Sequence, residues 1–91
     1  MASTEDFHHV TSRLIRRVLL AAPSAITRAD LGAALSKTMR AVASDISNPH
    51  IPGPEMARRV DGVEAACEAM RRYRLAECHA ALRGVWAGLK P

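Results

Sequence analysis

Aromatic side chains are nearly absent from this chain of 91 residues, which contains one Phe, one Trp and one Tyr. β-Branched residues are also few, whereas alanine occurs 17 times. Alanine favours helices because it has no side-chain entropy to lose when the backbone becomes helical. This composition excludes a β-sandwich or a β-barrel. The 48% hydrophobic content, with a formal charge of only +4, also excludes a disordered chain.

Long hydrophobic runs are absent as well. The longest, residues 18–22, reads VLLAA, whereas a membrane-spanning helix needs about 18 consecutive apolar residues. Glu5 and Asp6 stand where a secretory signal or a transit peptide carries positive charge. Two cysteines, Cys67 and Cys78, are too few for a disulfide framework. We therefore expect a cytoplasmic protein that does not bind a membrane.

Motifs for catalysis or metal binding are also missing. The chain has no Gly-rich phosphate loop and no HExxH or GxSxG motif. His8 and His9 cannot both face one ion, because neighbouring side chains on a helix point about 100° apart. The same geometry separates Cys78 from His79, and the spacing of Cys67 from Cys78 is not that of a zinc site. We expect neither an enzyme nor a bound metal or cofactor.

Helix signals divide the first half of the chain into two segments, near residues 4–22 and 28–47. Ser3 and Thr4 begin the first segment, and Pro23 ends it. Thr27 and Asp30 resemble a capping box at the start of the second segment, which stops before Pro49. Apolar residues recur every three or four positions, as expected for faces turned to a core. They are Phe7, Val10, Leu14 and Val18 in the first segment, and Leu31, Leu35, Met39, Val42 and Ile46 in the second.

Three prolines make residues 48–54 a stiff, extended connector with Ile51 at its centre. Helices near 54–72 and 74–89 follow. A break at Tyr73 separates them, although one bent helix of about 34 residues would fit the same pattern. Their predicted core stripes are Met56, Val60, Val63, Cys67 and Met70, then Leu75, Cys78, Leu82, Val85 and Leu89. The charged residues predicted on the solvent side of the third helix are Arg58, Arg59, Asp61, Glu64, Glu68, Arg71 and Arg72.

The sequence therefore predicts a single all-α domain over residues 1–91, a small antiparallel bundle of about four helices. Its core is small and aliphatic, so a homodimer or a bound partner would add stability.

Arginine dominates the charge, with eleven of the thirteen cationic residues. Its guanidinium group binds carboxylates in a bidentate manner, which suits an acidic protein surface. We therefore expect stoichiometric protein–protein binding, as an adaptor, an inhibitor or an accessory subunit. This class includes inhibitors from phages and mobile elements that block host nucleic-acid-handling machinery such as CRISPR effectors, an expectation that rests on class and not on shared residues. The candidate partner-binding residues are Arg13, Arg16, Arg17, Ile51, Arg71, Arg72, Arg74, Arg83 and Trp86.

Residues 26–46 support an alternative, because they resemble a degenerate helix-turn-helix of a DNA-binding transcriptional regulator. In that arrangement Gly32 would lie where two helices cross, and a recognition helix would enter the major groove. One unbroken helix explains the same residues, so both interpretations stay open. The candidate nucleic-acid-binding residues are Arg28, Lys37, Thr38 and Arg40.

Overall fold

The computed structural model describes residues 13–87, and these fold into four α-helices with no strand among them. The described part of α1 covers residues 13–20, and a short 3-10 helix, Pro23–Ala25, follows it. The other helices are α2 (Arg28–Asp45), α3 (Gly53–Arg71) and α4 (Leu75–Ala87). The predicted all-α bundle is confirmed. Phe7, Val10 and Leu89 of the predicted stripes lie outside the described residues.

Helix α1 is held against the other helices by apolar packing and by one buried histidine. Ile15 and Val18 belong to the core, each only 3% exposed. Nε2 of the buried His79, on α4, lies 3.2 Å from the carbonyl oxygen of Val18. A carbonyl oxygen only accepts, so Nε2 is the donor and carries the proton. This bond gives α1 a fixed position on α4.

Helix α2 begins at the predicted cap, because the Thr27 hydroxyl accepts a hydrogen bond from the Asp30 amide at 3.1 Å. The helix then continues unbroken to Asp45, so the predicted helix-turn-helix geometry is wrong. That motif needs a turn at Ser36, but no glycine or proline breaks the chain there, and the good helix formers Ala33, Ala34 and Leu35 come directly before it. Gly32 is not at a helix crossing either, since a Cβ atom placed on it would meet nothing within 4 Å.

The predicted core stripe of α2 is only partly correct. Leu31, Leu35 and Val42 are buried, but Met39 is 44% exposed and Ile46 is 64% exposed. The buried arc instead includes Thr38, whose hydroxyl donates to the Ala34 carbonyl oxygen at 2.7 Å. Bonding within the helix satisfies this hydroxyl, so a polar residue can occupy a core position.

The connector between α2 and α3 is folded and not extended, contrary to the prediction. The Asn48 side chain accepts a hydrogen bond from the His50 amide at 2.9 Å, and the Asn48 carbonyl accepts one from the Ile51 amide at 3.3 Å. These are the local turns that asparagine favours. Pro54 then lies in the first turn of α3, a position that tolerates its missing N–H.

Among α2, α3 and α4, the pair α3 and α4 is the most extensively packed, and small residues make its close approach possible. On α3 the buried apolar residues are Ala66 and Ala69, whereas the predicted stripe of larger residues is only half-buried. Gly62 faces α4, because a Cβ atom built on it would lie well inside van der Waals contact of Val85 Cγ2. The helix-turn-helix alternative predicts a helix crossing at Gly32. The structure instead has a glycine at a crossing at Gly62.

The break predicted at Tyr73 is present, so α3 and α4 are separate helices. The Tyr73 amide donates to the Met70 carbonyl at 3.1 Å, and the Arg74 amide donates to the Ala69 carbonyl at 2.9 Å. This pair of bonds is a Schellman motif, which ends a helix with a residue in the left-handed region. Tyr73 occupies that region with φ of 57°.

Charged side chains tie α2, α3 and α4 together. Glu55 accepts hydrogen bonds from Arg58 at 2.7 and 3.0 Å and from Arg59 at 3.1 Å. These bonds, with that to Arg58 contributing most, lower the Glu55 pKa from 4.5 to about 2. Arg58 also donates to the Gly84 carbonyl of α4 at 2.6 Å, and Arg59 lies 3.7 Å from the Asp45 carboxylate of α2.

The solvent-side prediction is wrong for Arg59, which is only 7% exposed. A buried cation needs a carboxylate partner, and the Arg59 guanidinium has two, Glu55 and Asp45. In the described residues, every buried side-chain nitrogen or oxygen has a hydrogen-bond partner. None of the helices described is both long and apolar enough to cross a membrane.

Candidate functional site at the turn between helices α3 and α4

The turn between α3 and α4 presents a tyrosine side chain to solvent in an unusual backbone conformation. Tyr73 is 67% exposed, and it is the only non-glycine residue with positive φ among residues 13–87. Its ring is covered on one side by the Arg28 guanidinium, whose central carbon lies 4.3 Å from the ring centroid. This stack brings the first turn of α2 to the end of α3 and is a cation–π interaction.

Three further arginines lie beside this tyrosine in the sequence, and each pairs with a carboxylate. Arg72 Nε lies 2.7 Å from Glu68 Oε1, and Arg71 pairs with the other oxygen of the same carboxylate. Arg74 Nη1 lies 3.2 Å from Glu77 Oε1. The hydrogen bond from Arg72, followed by the charge of Arg71, lowers the Glu68 pKa. We call Arg28, Arg71, Arg72, Tyr73 and Arg74 the arginine–tyrosine corner.

The corner keeps a cationic surplus despite these ion pairs. Three of its guanidinium groups, those of Arg71, Arg72 and Arg74, share the two carboxylates of Glu68 and Glu77, and all three side chains are more than half exposed. The guanidinium of Arg28, on Tyr73, is a fourth cation. Each guanidinium has five N–H donors in a rigid fork, and the hydrogen bonds to the carboxylates occupy few of them. The remaining donors are positioned in advance, so little side-chain entropy is lost when they bind a further carboxylate.

A shallow groove of about 280 Å³ runs beside the corner between α3 and α4. Alanines and the charged pairs of the corner line it together. The groove is wide open to solvent, whereas small-molecule sites enclose most of the ligand surface, so it suits the side chains of a protein surface better than an enclosed substrate. It is lined by Ala65, Glu68, Ala69, Arg72, Arg74, Glu77 and Ala81.

The other predicted cationic cluster lies on α1. Arg13, Arg16 and Arg17 are exposed, and no ion pair joins them to a carboxylate within residues 13–87. Arg17 lines a second depression, of about 180 Å³, together with Asp30. The first turn of α2 thus borders both clusters, with Asp30 beside Arg17 and Arg28 on Tyr73.

The remaining candidate partner-binding residues are scattered. Ile51 is half-buried in the connector, and Arg83 is exposed on α4. Trp86 is half-buried, and its indole N–H donates to the Thr38 hydroxyl at 2.8 Å. The polar atom of Trp86 is therefore engaged inside the bundle, and it ties α4 to α2.

The candidate nucleic-acid-binding residues do not form one surface. Thr38 is fully buried, so its predicted contact with a base is wrong. Lys37 is half-buried and Arg40 is exposed, whereas Arg28 stacks on Tyr73. With α2 unbroken and Thr38 in the core, a recognition helix in residues 26–46 has no support.

Sequence reasoning missed two features that the structure brings out. One is the left-handed backbone and exposed ring of Tyr73. The predicted helix break could have indicated the backbone conformation, since a residue that ends a helix without Gly or Pro nearby must itself adopt the turn conformation. The other is the network around Glu55, which the spacing of Arg58 and Arg59 at i+3 and i+4 could have indicated.

Metal binding finds no support in the part of the chain that the structure describes, where no three His, Cys, Asp or Glu side chains converge. Cys78 is buried, and burial raises the pKa of its thiol, which is the opposite of activation for nucleophilic attack. Comparison of the chain with protein families, with curated proteins and with solved structures finds no match.

Proposed function

We propose that this protein acts without catalysis, by binding stoichiometrically to a protein partner with an acidic surface, and that the arginine–tyrosine corner is the contact. The observation that carries the proposal is the exposed Tyr73, held at positive φ among four arginines. Tyrosine and arginine, with tryptophan, are the residue types enriched at the positions that contribute most of the binding energy in protein interfaces.

Stability alone does not explain a tyrosine at this position. A side chain in the left-handed region costs about 1–2 kcal/mol relative to the right-handed one. An exposed cation–π contact such as that with Arg28 returns only about 0.5–1 kcal/mol. Glycine would satisfy the same turn without that cost. Local strain of this kind is characteristic of functional positions, which supports a role for the Tyr73 side chain outside the bundle.

The charge of the corner favours an acidic partner. Four guanidiniums accelerate the encounter with a surface of opposite charge, and their free donors then bind its carboxylates in fixed directions. Among such partners we propose complexes that handle nucleic acids in a host cell, because small helical inhibitors from phages and mobile elements block complexes of this kind. Adaptor and accessory-subunit roles use the same contact and differ only in what the partner does afterwards.

The test is affinity purification of the tagged full chain from its native host, with quantification of any protein recovered in equal amount. Two variants remove the contact: Tyr73→Gly, which fits the turn, and Arg72→Glu, which reverses one charge. Arg40→Glu is the matched control, because Arg40 is also an exposed arginine but lies outside the corner.

We expect wild type and Arg40→Glu to recover the partner, and both corner variants to lose it. A loss of about 2 kcal/mol at an interface tyrosine corresponds to roughly 30-fold weaker binding. The proposal fails if wild type recovers no stoichiometric protein. It also fails if the corner variants bind as well as Arg40→Glu. Circular dichroism of each variant shows whether the fold is retained.

A further inference from the structure

The exposed face of α1 differs from those of the other described helices in its charge. Four of residues 13–20 are exposed, namely Arg13, Arg16, Arg17 and Leu20, so this face has three positive charges and no negative one. By contrast, α2 has three cations against two acids, α3 has three against four, and α4 has one against one. The three arginines, which we call the α1 arginine face, are therefore the most cationic helix surface in the described residues.

The guanidinium groups of this face are not held by the protein in the way that those of the corner are. Within residues 13–87, the hydrogen bonds and ion pairs of arginine involve other positions. Asp30 lines the same depression as Arg17 but forms no ion pair with it. The donors of the face are therefore available to an anion from outside the bundle.

We propose that the α1 arginine face binds the phosphate backbone of a nucleic-acid duplex, independently of the base sequence. Guanidinium groups donate bidentate hydrogen bonds to phosphate oxygens, and a set of cations without an acid among them suits an anion that repeats one charge. A duplex has one negative charge for each ~1.7 Å of its axis. Neutralising its phosphates releases condensed counterions, and this release favours binding even when the side chains are not fixed beforehand.

The spacing of the arginines along α1 agrees with this ligand. Arg13 and Arg17 are four residues apart, which is about 6 Å along the helix axis, and Arg16 lies between them. Three successive phosphates of one strand span about 7 Å along the duplex axis. When α1 lies along the backbone, the three long side chains can therefore contact three phosphates at once.

The composition of the face disfavours two other partners. Binding energy in protein interfaces concentrates at aromatic residues as well as at arginine, and residues 13–20 contain no aromatic side chain. A membrane-surface helix needs a broad apolar face turned outwards, and Leu20 is the single exposed apolar residue among those eight. A phosphate backbone requires neither feature, since cations alone bind it.

Fluorescence anisotropy of a short labelled duplex, titrated with the full chain, tests the proposal. A DNA and an RNA duplex of the same sequence are titrated separately, and the tighter of the two identifies the nucleic acid. With three phosphates neutralised, we expect log affinity to fall against log salt with a slope of about −2.7. This slope corresponds to binding that is about 40-fold weaker at about 200 mM salt than at about 50 mM.

Variants assign the binding to α1. Arg16→Gln keeps a good helix former and should reduce the slope to about −1.8, and Arg13→Gln, Arg16→Gln and Arg17→Gln combined should abolish binding. Arg83→Gln is the matched control, because it removes the same charge from an exposed arginine of α4 and should leave the slope unchanged. The proposal fails if neither duplex binds at about 50 mM salt, or if the combined variant still binds. It also fails if Arg83→Gln lowers the slope as much as Arg16→Gln, since the binding would then reflect net charge alone.

Tyr73→Gly separates this inference from the proposed protein partner. It alters the corner and leaves α1 intact, so we expect the wild-type affinity and slope for the duplex. If wild type binds the duplex as expected but recovers no stoichiometric protein, only the proposed function fails. If neither duplex binds and the combined α1 variant loses the protein partner, the α1 arginine face contacts that partner and the present proposal is wrong.

Discussion

Replacing Gly62 by alanine tests the close approach of α3 and α4 through the sign of the stability change. In an exposed helix interior, Gly→Ala stabilises by about 1 kcal/mol, because alanine has the higher helix propensity. At Gly62 the added methyl group would overlap Val85 Cγ2. Val85 is fully buried, and its branched Cβ gives it few other rotamers. Overpacking of this kind costs about 1–3 kcal/mol.

The net effect of Gly62→Ala is therefore expected to be destabilisation by about 1 kcal/mol, since the packing cost exceeds the propensity gain. Gly84→Ala is the matched control, because Gly84 lies within α4 and an added Cβ there meets nothing within 4 Å. It should stabilise by about 1 kcal/mol. For a domain of this size, the two variants should differ in Tm by about 8–16 °C, at about 4–8 °C for each kcal/mol.

The assay is urea denaturation together with a thermal melt followed by circular dichroism, and it includes the double variant with Val85→Ala. Removing the Val85 methyl groups should restore the stabilising sign of Gly62→Ala, and the difference measures the coupling between the two positions. If Gly62→Ala stabilises as much as Gly84→Ala, the helices do not approach each other at Gly62 as described.

Three further predictions concern the hydrogen bonds and the turn. Thr38→Val keeps the side-chain shape but leaves the Trp86 indole N–H without an acceptor. Urea denaturation should therefore show a free energy of unfolding lower by about 1–3 kcal/mol, and Thr38→Ser should lower it less. Equal stability of Thr38→Val and wild type would exclude this bond. The Glu55 pKa is lowered to about 2, so its ion pairs stabilise the fold above pH 4.5 and lose that effect as the pH falls toward 2. Between pH 6 and about pH 2, the Tm of Glu55→Gln should fall less steeply than that of wild type. An equal slope for the two proteins would contradict the network. Tyr73→Gly should be more stable to urea than Tyr73→Ala by about 1 kcal/mol, because both lose the stack on Arg28 but only alanine keeps the strain of positive φ. A Tyr73→Ala protein more stable than Tyr73→Gly would contradict the left-handed turn.

Much of the fold was predictable, because its signals are local. Thr27 caps α2 as predicted, Pro23 follows α1, and the chain breaks at Tyr73. Each of these depends on residues within one turn of the feature itself, so the sequence contains the whole cause. The predicted bundle follows from the same periodicity, with Leu31 and Leu82 fully buried on their stripes.

The candidate site was only partly predictable, because its parts come from different helices. Arg71, Arg72 and Arg74 were visible as a cluster in the chain. The stack of Arg28 on Tyr73 joins residues 45 positions apart, and only the packing of α2 against the end of α3 creates it. A cationic run in a sequence indicates a surface, but the geometry of that surface depends on contacts between distant residues.

The errors on α2 and α3 share one physical cause. A core stripe was assigned to the largest apolar residues, yet helices approach most closely through small ones. On α3 the buried apolar positions are Ala66 and Ala69, with Gly62 against α4, and a larger side chain there would force the helices apart. The larger residues of α3 are displaced to the flank of the contact, and Met39 and Ile46 of α2 reach the surface. The largest apolar residues of a helix therefore predict its core face only where the neighbouring helix leaves room for them.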